Sequence, residues 1–168
     1  HCILHRENLA KKHIPSCLQE VLSASIKTVN FIKKSDTKAR CLKDLCEGLD
    51  AGHLRLLYHN EVRWLSKGRT LVRLVELKKQ VFTFLKDEGS ELVKFFEDDV
   101  FLARLAYLID IFEELNALNL SMQGKQNSIF VMTDKIEALK IELIFGRKRL
   151  AMVILRCLTG LMRPMKNA

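Results

Sequence analysis

The fold is decided by residues 59–85, which read HNEVRWLSKGRTLVRLVELKKQVFTFL. The second half of this stretch predicts a long amphipathic helix to about Asp87, because apolar side chains recur every three or four residues. These apolar positions are Leu71, Leu74, Val75, Leu77, Val81, Phe82 and Leu85. Residues 65–68, just before the helix, are interpreted as a short polar hinge.

The first half of the stretch holds the only tryptophan of the chain, Trp64, directly after Arg63. The preceding residues 54–62 are typical of a short strand. Arg63 and Trp64 are therefore expected where an extended segment gives way to a helix. Such junctions direct side chains out of a scaffold, and functional residues tend to collect there.

Helices are also predicted on both sides of this stretch. Upstream, one helix follows Pro15 and runs to about Lys33, and a second ends at Gly48 and Gly52. The second helix directs five side chains inward, namely Ala39, Leu42, Leu45, Cys46 and Leu49. Downstream, a turn at Gly89 precedes helices over 92–96, 100–120 and 129–145, with a loop at 123–127 and a helix cap at Thr133–Asp134. The pattern predicts a mainly α fold, a bundle of five or six helices with a small strand remnant near 54–62.

Composition places the chain among globular proteins of the cell interior. Apolar residues make up 48% of the 168 residues, which is enough to build a core. No secretory signal and no apolar run long enough to span a membrane is visible. The five cysteines are an odd number without regular spacing, which argues against a disulfide framework and favours a reducing compartment, the cytosol or the nucleus.

The positive charge is concentrated at the C-terminal end. The net charge is +8, and residues 146–168 hold six basic residues and no acid. Residues 1–145 carry 22 basic and 20 acidic residues and are nearly neutral. Non-specific attraction to nucleic acid would therefore rest on this tail, above all on Arg147, Lys148 and Arg149.

Several separated motifs together resemble one protein family. They are Cys2-x-x-His5, Val29-Asn30-Phe31-Ile32-Lys33, His59-x-Glu61-Val62-Arg63-Trp64-Leu65-Ser66-x-Gly68, Leu105-Ala106-Tyr107-Leu108-x-Asp110-Ile111-Phe112, Leu115-Asn116-x-Leu118-Asn119-Leu120-Ser121-x-Gln123-Gly124-Lys125 and Asp134-Lys135-Ile136. In this order they are similar to the hAT-superfamily transposases over about residues 1–143. The branch they resemble is that of host-domesticated copies, which includes BED-type zinc finger proteins, SCAN-domain-containing transposon-derived proteins and the general transcription factor II-I repeat domain protein 2.

The resemblance implies a division of the chain into three parts. Residues 1–67 correspond to part of a ribonuclease-H-like core, residues 68–145 to part of an all-α insertion domain, and residues 146–168 to a basic tail that departs from the family pattern. The catalytic Asp, Asp and Glu of the transposases lie outside the matching region. The resemblance therefore implies a protein that is not an enzyme and needs no cofactor.

The resemblance also gives Arg63 and Trp64 a role, because the family places this tryptophan to stack on a base near the cleavage site. An indole stacks on an unpaired base with about 1–3 kcal/mol, and an arginine can pair with phosphate. Lys67 and Arg69 would add charge beside them. In the alternative interpretation, Trp64 packs the junction and Arg63 is a surface charge. For this chain, the packing interpretation is the favoured one.

Cys2 and His5 form half of a possible zinc site. No second pair with zinc-finger spacing accompanies them, so a structural role for the thiol and the imidazole is favoured, and no metal is expected.

Two acidic groups, Glu97-Asp98-Asp99 and Asp110 with Glu113 and Glu114, could be interpreted as an acid pair or a magnesium site. Two-metal nucleases bring acids together from separate strands, whereas these acids lie on predicted helices. A solvated helix face is therefore favoured, with Asp110 expected to be partly buried.

The sequence thus predicts a non-catalytic, transposase-derived fragment with nucleic-acid association, here DNA, in the nucleus. The alternatives are a helical module that binds protein partners through exposed helical faces, a cytoplasmic location and a non-functional relic. The tail could also lie on an anionic membrane surface or have no selected role.

Overall fold

The computed structural model describes residues 15–57, 66–121 and 129–158, and every regular element in these ranges is helical. The elements are α1 (Ser16–Lys33), α2 (Asp36–Gly48), α3 (Ser66–Glu76), α4 (Lys78–Asp87), a 3₁₀ turn (Glu91–Val93), α5 (Lys94–Glu97), α6 (Asp99–Ser121) and α7 (Ile129–Leu158). The mainly α prediction is confirmed. The described part has one helix more than the six predicted, because the predicted long helix is two helices.

The strand predicted near 54–62 is wrong over residues 54–57, which are irregular, while 58–62 lie outside the described residues. Two side chains take the carbonyl groups that a strand would offer to a neighbour. Lys33 Nζ donates to the Leu56 carbonyl at 3.0 Å, and an Arg73 guanidinium nitrogen donates to the Arg55 carbonyl at 3.3 Å. With its backbone held by side chains, this segment is anchored to α1 and α3 as a loop.

Helices α1 and α2 match the predicted bounds. Pro15 precedes α1, and the Ser35 hydroxyl caps α2 by accepting from the Lys38 amide at 3.4 Å. The expectation that Leu49 points inward is wrong, since it lies just beyond the end of α2 and is 52% exposed. Helical periodicity no longer applies to a residue after the last turn.

The helix predicted to run from the hinge to Asp87 breaks at Leu77. This residue has φ −98° and ψ 17° and is almost completely buried. No proline or glycine marks the break, so packing rather than local propensity produces it. The proposed hinge is also wrong over 66–68, because Ser66 already begins α3 and Gly68 is buried within it.

Two clusters of buried side chains form the core. The first contains Val29, Ile32, Leu42, Cys46, Leu56, Leu74, Leu77, Val81, Phe84, Leu85 and Phe96. The second contains Leu18, Val21, Leu22, Ala24, Leu71, Phe101, Leu105, Leu108 and Phe112. Because α1 and α3 contribute to both clusters, residues on either side of the predicted boundary at 67/68 pack together. The division of the chain into three parts stays a prediction.

Helices α6 and α7 form an antiparallel hairpin. Lys135 Nζ near the start of α7 donates to the Ser121 carbonyl at the end of α6, at 2.9 Å. Further along α7, Gly146 lies against Tyr107, nearer the start of α6.

Helix α7 is longer than the sequence predicted. The predicted end at Phe145 is wrong, since α7 continues to Leu158, and the predicted cap at Thr133–Asp134 lies inside the helix. The predicted loop at 123–127 lies outside the described residues. None of the described helices combines the length and hydropathy needed to cross a membrane.

Candidate nucleic-acid interface

The structure describes only part of the predicted site. Arg63 and Trp64 lie outside the described residues, as do Cys2 and His5. Lys67 and Arg69 lie in the first turn of α3, where Lys67 is half-buried and Arg69 is exposed. Of the predicted contacts in this stretch, the structure therefore describes Lys67 and Arg69.

An open cleft of about 340 Å³ lies between α3 and α6 beside these two positions. We call it the α3–α6 cleft, and it is lined by Leu57, Gly68, Arg69, Val72, Arg73, Glu76, Phe112, Glu113 and Asn116. Helical spacing puts Gly68, Val72 and Glu76 on one side of α3. Leu57, the last described residue before the Arg63–Trp64 segment, is part of the lining.

The two arginines of the cleft differ in their partners. Arg73 Nε pairs with Glu76 Oε2 at 2.9 Å, and His53 Nε2 lies 3.4 Å from the same oxygen. Arg69 is exposed and forms no hydrogen bond or ion pair with another residue of the described ranges. Arg69 is therefore the cation at this cleft that remains available to an anionic ligand.

Gly68 and Phe112 explain why the cleft lies where it does. A Cβ atom placed on Gly68 would lie 2.9 Å from the Cβ atom of Phe112, so only glycine permits α3 and α6 to approach this closely. Gly68 was predicted to belong to a hinge, and this contact was not predicted. A glycine at the start of a strongly periodic helix is the feature of the sequence that could have indicated a close contact between helices.

Four of the six basic residues of the predicted tail, Arg147, Lys148, Arg149 and Arg156, lie on α7, and Arg163 and Lys166 lie outside the described residues. Lys148 is exposed, with Nζ 5.6 Å from the centre of the Phe145 ring. Positions 147–149 are consecutive on a helix and so spread over about 200° around its axis. The three positions therefore do not share one side of α7.

The acidic residues of both predicted groups are exposed on the surface. Asp98 Oδ1 accepts from the Val100 amide at 2.8 Å and so caps the start of α6. The expectation that Asp110 is partly buried is wrong, because its side chain is exposed. No group of three or more potential metal ligands occurs within residues 15–57, 66–121 and 129–158.

One pair of carboxyl groups joins the two helices of the hairpin. The side chain of Glu114 on α6 is hydrogen-bonded to that of Glu142 on α7. Partial desolvation and the negative charges of Glu142, Asp110 and Glu113 raise the pKa of Glu114 above its ordinary value of 4.5. The direction of this shift predicts that the stability of the hairpin depends on pH.

The described cysteines do not resemble a catalytic thiol. Cys17, Cys41 and Cys46 are free. Cys46 is completely buried, and burial together with the charge of Glu47 raises the pKa of its thiol. A buried thiol with a raised pKa is a poor nucleophile.

Comparison with known proteins identifies the type of domain. The model of one family, the FAM200/GTF2IRD2-like family, described as the FAM200/GTF2IRD2 helical domain, matches residues 1–151. No solved structure shows significant similarity to the chain.

Proposed function

Because the chain belongs to the FAM200/GTF2IRD2-like family of helical domains, we propose that it is a non-catalytic, domesticated transposase-derived domain that associates with nucleic acid in the nucleus. The family fits the transposase-derived origin predicted from the sequence motifs. Arg63 and Trp64 are the proposed contacts to unpaired bases and phosphate, with Lys67 and Arg69 beside them. The cations at 147–149 are the proposed contacts to duplex DNA. The ribonuclease-H-like origin of residues 1–67 belongs to the same proposal.

The observation that carries this proposal is the position of Arg69. It is an exposed cation at the open α3–α6 cleft, without an ion-pair partner among the described residues, and it lies six residues after Arg63 in the chain. Arginine pairs with phosphate through two parallel hydrogen bonds, which gives both strength and orientation. The neighbouring Arg73 is already paired with Glu76 and contributes little further charge.

The first experiment separates base stacking from charge. Binding of a fluorescent hairpin DNA with an unpaired loop, and of a blunt duplex, is measured by anisotropy for Trp64→Ala and Arg69→Gln. We expect Trp64→Ala to weaken hairpin binding by roughly 5- to 150-fold, the equivalent of about 1–3 kcal/mol, and to leave duplex binding unchanged. Arg69→Gln should weaken binding to both. If Trp64→Ala changes neither, the tryptophan is a packing residue and this part of the proposal is wrong.

The second experiment tests the cations of α7. Because α7 continues through this region, truncation would remove part of a helix that packs on α6 as well as the charges. Neutralising the charges is therefore the cleaner change. The variant Arg147→Gln/Lys148→Gln/Arg149→Gln is compared with Lys78→Gln/Lys79→Gln/Lys86→Gln, which removes three exposed charges from α4. Each lost phosphate contact should reduce the slope of log K against log salt by about 0.9 for duplex DNA. Equal slopes for the two triple variants would remove α7 from the proposed interface.

One observation favours a second candidate function, a helical protein–protein interaction module. Ile141, Ile144 and Phe145 on α7 are 55%, 57% and 57% exposed, and their spacing puts them on one side of the helix. Exposed apolar side chains that cluster in this way are typical of docking surfaces. The simplest occupant is a second copy of the chain.

Sedimentation velocity over a wide concentration range tests the second candidate. An interaction module of this kind should associate with increasing concentration, and Ile144→Lys/Phe145→Lys should keep it monomeric. A wild-type chain that stays monomeric throughout would contradict self-association through α7.

A further inference from the structure

A second cleft of the described chain is lined mainly by positive charge. It has a volume of about 400 Å³ and opens where the end of α1, the first half of α2 and the loop before residue 58 meet. We call it the basic cleft, and four cationic side chains surround it, those of Lys33, Arg40, Lys43 and Arg55. Among the described residues of its lining, Asp36 carries the only carboxylate.

The four cations come from three separate elements, which a run of charge along one helix face would not produce. Lys33 lies at the end of α1, Arg40 and Lys43 lie one turn apart on α2, and Arg55 lies on the loop. Their convergence depends on the tertiary fold. Residues 1–145 are nearly neutral as a whole, so the composition gave no indication of this local excess of positive charge.

The existing partners of Arg40 and Lys43 do not cancel the excess. Arg40 Nε donates to the backbone carbonyl of Asp36 at 3.4 Å, and a backbone carbonyl carries no net charge. Lys33 Nζ donates to the Leu56 carbonyl at 3.0 Å. Lys43 is paired with Glu47 at 2.9 Å in an exposed ion pair, which is a weak interaction. The guanidinium group of Arg55 has no hydrogen-bonding partner within the described residues.

The cations also act on each other. Burial and the positive charge of Arg55 lower the pKa of Lys33. The two groups are therefore close enough to repel, and an anion between them would turn this repulsion into attraction for both. A doubly charged oxyanion suits two arginines and two lysines better than a single carboxylate does, because arginine and lysine are the usual phosphate-binding side chains.

From this geometry we propose that the basic cleft is a phosphate-binding site. Its occupant in the nucleic-acid complex is a backbone phosphate of a single strand, whose flexibility permits it to enter a concave site. The identity of this occupant rests on the proposed function. The binding of phosphate itself does not, because it follows from the convergence of Lys33, Arg40, Lys43 and Arg55.

The test uses one double variant and one matched control. Arg40→Gln/Arg55→Gln removes two exposed cations from the cleft and leaves the hydrogen bond from Lys33 to Leu56 in place. Lys78→Gln/Lys79→Gln removes the same charge from exposed positions on α4 that do not line the cleft. Circular dichroism and a thermal melt of each variant verify that the fold is retained.

Two probes distinguish the sources of phosphate. Pyrophosphate binding is measured by isothermal titration calorimetry at low salt, and binding of a labelled oligothymidylate is measured by anisotropy over a salt series. We expect Arg40→Gln/Arg55→Gln to weaken pyrophosphate binding at least tenfold. We also expect it to reduce the slope of log K against log salt for the oligothymidylate by about 1.4, because each of the two lost phosphate contacts on a single strand contributes about 0.7. The α4 control should change neither value.

Each result decides one part of the proposal. If the wild-type chain does not bind pyrophosphate, or if the double variant binds it as well as the control does, the basic cleft is not a phosphate site. If pyrophosphate binds and depends on the cleft while the oligothymidylate does not bind at all, the proposed nucleic-acid function fails and the phosphate site remains. If the oligothymidylate binds with an unchanged salt slope in the double variant, a strand phosphate is not the occupant.

Discussion

Gly68 of α3 lies directly against Phe112 of α6, so closely that a Cβ atom on Gly68 would be 2.9 Å from the Cβ atom of Phe112. Phe112 is almost completely buried in the second core cluster. The atom that would be approached belongs to the fixed base of a side chain, next to the helix backbone, and cannot rotate away. The distance between α3 and α6 is therefore set by the absence of a side chain at position 68.

Gly68→Ala should destabilise the protein, although alanine is the better helix former. Alanine gains about 1 kcal/mol in helix propensity, but overpacking a core contact typically costs about 1–3 kcal/mol. Because α3 and α6 must also separate, we expect a net loss of about 1–2 kcal/mol in the free energy of unfolding. Urea denaturation followed by circular dichroism measures it.

Gly48→Ala is the matched control for this change. Gly48 is the last residue of α2, and a Cβ atom placed on it would have no neighbour within 4 Å. This substitution should stabilise the protein by about 0.4–1 kcal/mol by restricting the unfolded chain. If both alanine variants are stabilising, the close approach of Gly68 to Phe112 is not a feature of the protein in solution.

Ser25 and Thr28 should respond in opposite ways to loss of the hydroxyl group. Both are completely buried on α1, but Thr28 Oγ1 donates to the Ala24 carbonyl at 3.0 Å, whereas Ser25 Oγ has no hydrogen-bond partner in the described part of the chain. An unsatisfied buried hydroxyl costs about 1–3 kcal/mol, so Ser25→Ala should raise the free energy of unfolding by about 1 kcal/mol or more. Thr28→Val should lower it by about 1 kcal/mol. The same loss in both variants would indicate that Ser25 has a partner in solution.

The three described cysteines should be alkylated at very different rates. Cys41 is exposed, Cys17 is half-buried, and Cys46 is completely buried with a raised pKa. Because the thiolate is the reactive form, we expect iodoacetamide to modify Cys41 first and Cys46 only after unfolding. Peptide mass spectrometry after timed quenching follows each position separately. Rapid modification of Cys46 in the native protein would show that the first core cluster opens readily.

Glu114→Gln should make the protein less sensitive to pH. The folded state raises the pKa of Glu114, so the protonated carboxyl group is favoured in the folded protein relative to the unfolded chain. Its contribution to stability is complete below the ordinary value of 4.5 and is lost as the pH rises through the raised pKa. Glutamine keeps a hydrogen-bond donor toward Glu142 and removes the charge. We therefore expect the variant to melt at a higher temperature than the wild type at pH 7 and at nearly the same temperature at pH 4.

The control for this experiment is Glu20→Gln, which removes an exposed carboxylate from α1, outside the hairpin. It should leave the difference in melting temperature between the two pH values unchanged. If Glu114→Gln behaves in the same way as this control, the two helices of the hairpin do not share a proton between Glu114 and Glu142.

The helices that are marked by local features of the sequence, such as a capping residue or an apolar repeat, were predicted correctly. Pro15 and Ser35 precede α1 and α2, and the repeat of Phe101, Leu105, Leu108 and Phe112 marks the buried side of α6. Errors occurred where tertiary contacts decide the outcome. The break at Leu77 arises from packing, and the segment 54–57 is a loop because Lys33 and Arg73 bind its carbonyl groups.

The candidate site was less accessible to sequence reasoning than the fold. Lys67 and Arg69 were found because they adjoin the Arg63–Trp64 motif. The basic cleft was overlooked, since Lys33, Arg40 and Arg55 are separated in the chain and only the packing of α1 on α2 brings them together. A count of charges along the sequence cannot detect a cluster of this kind.

Helix α7 makes its extensive contacts with one neighbour only, α6, among the described elements. Helix α6, in contrast, also packs on α1 and α3 and contributes Phe101, Leu105 and Leu108 to the second core cluster. A motion of α7 relative to the rest of the protein must therefore pass through α6, and from Phe112 to Gly68 at the start of α3. The start of α3 also carries Lys67 and Arg69 of the proposed interface. A macromolecule that pulls on α7 would thus exert force, through α6, on the helix that holds these two side chains.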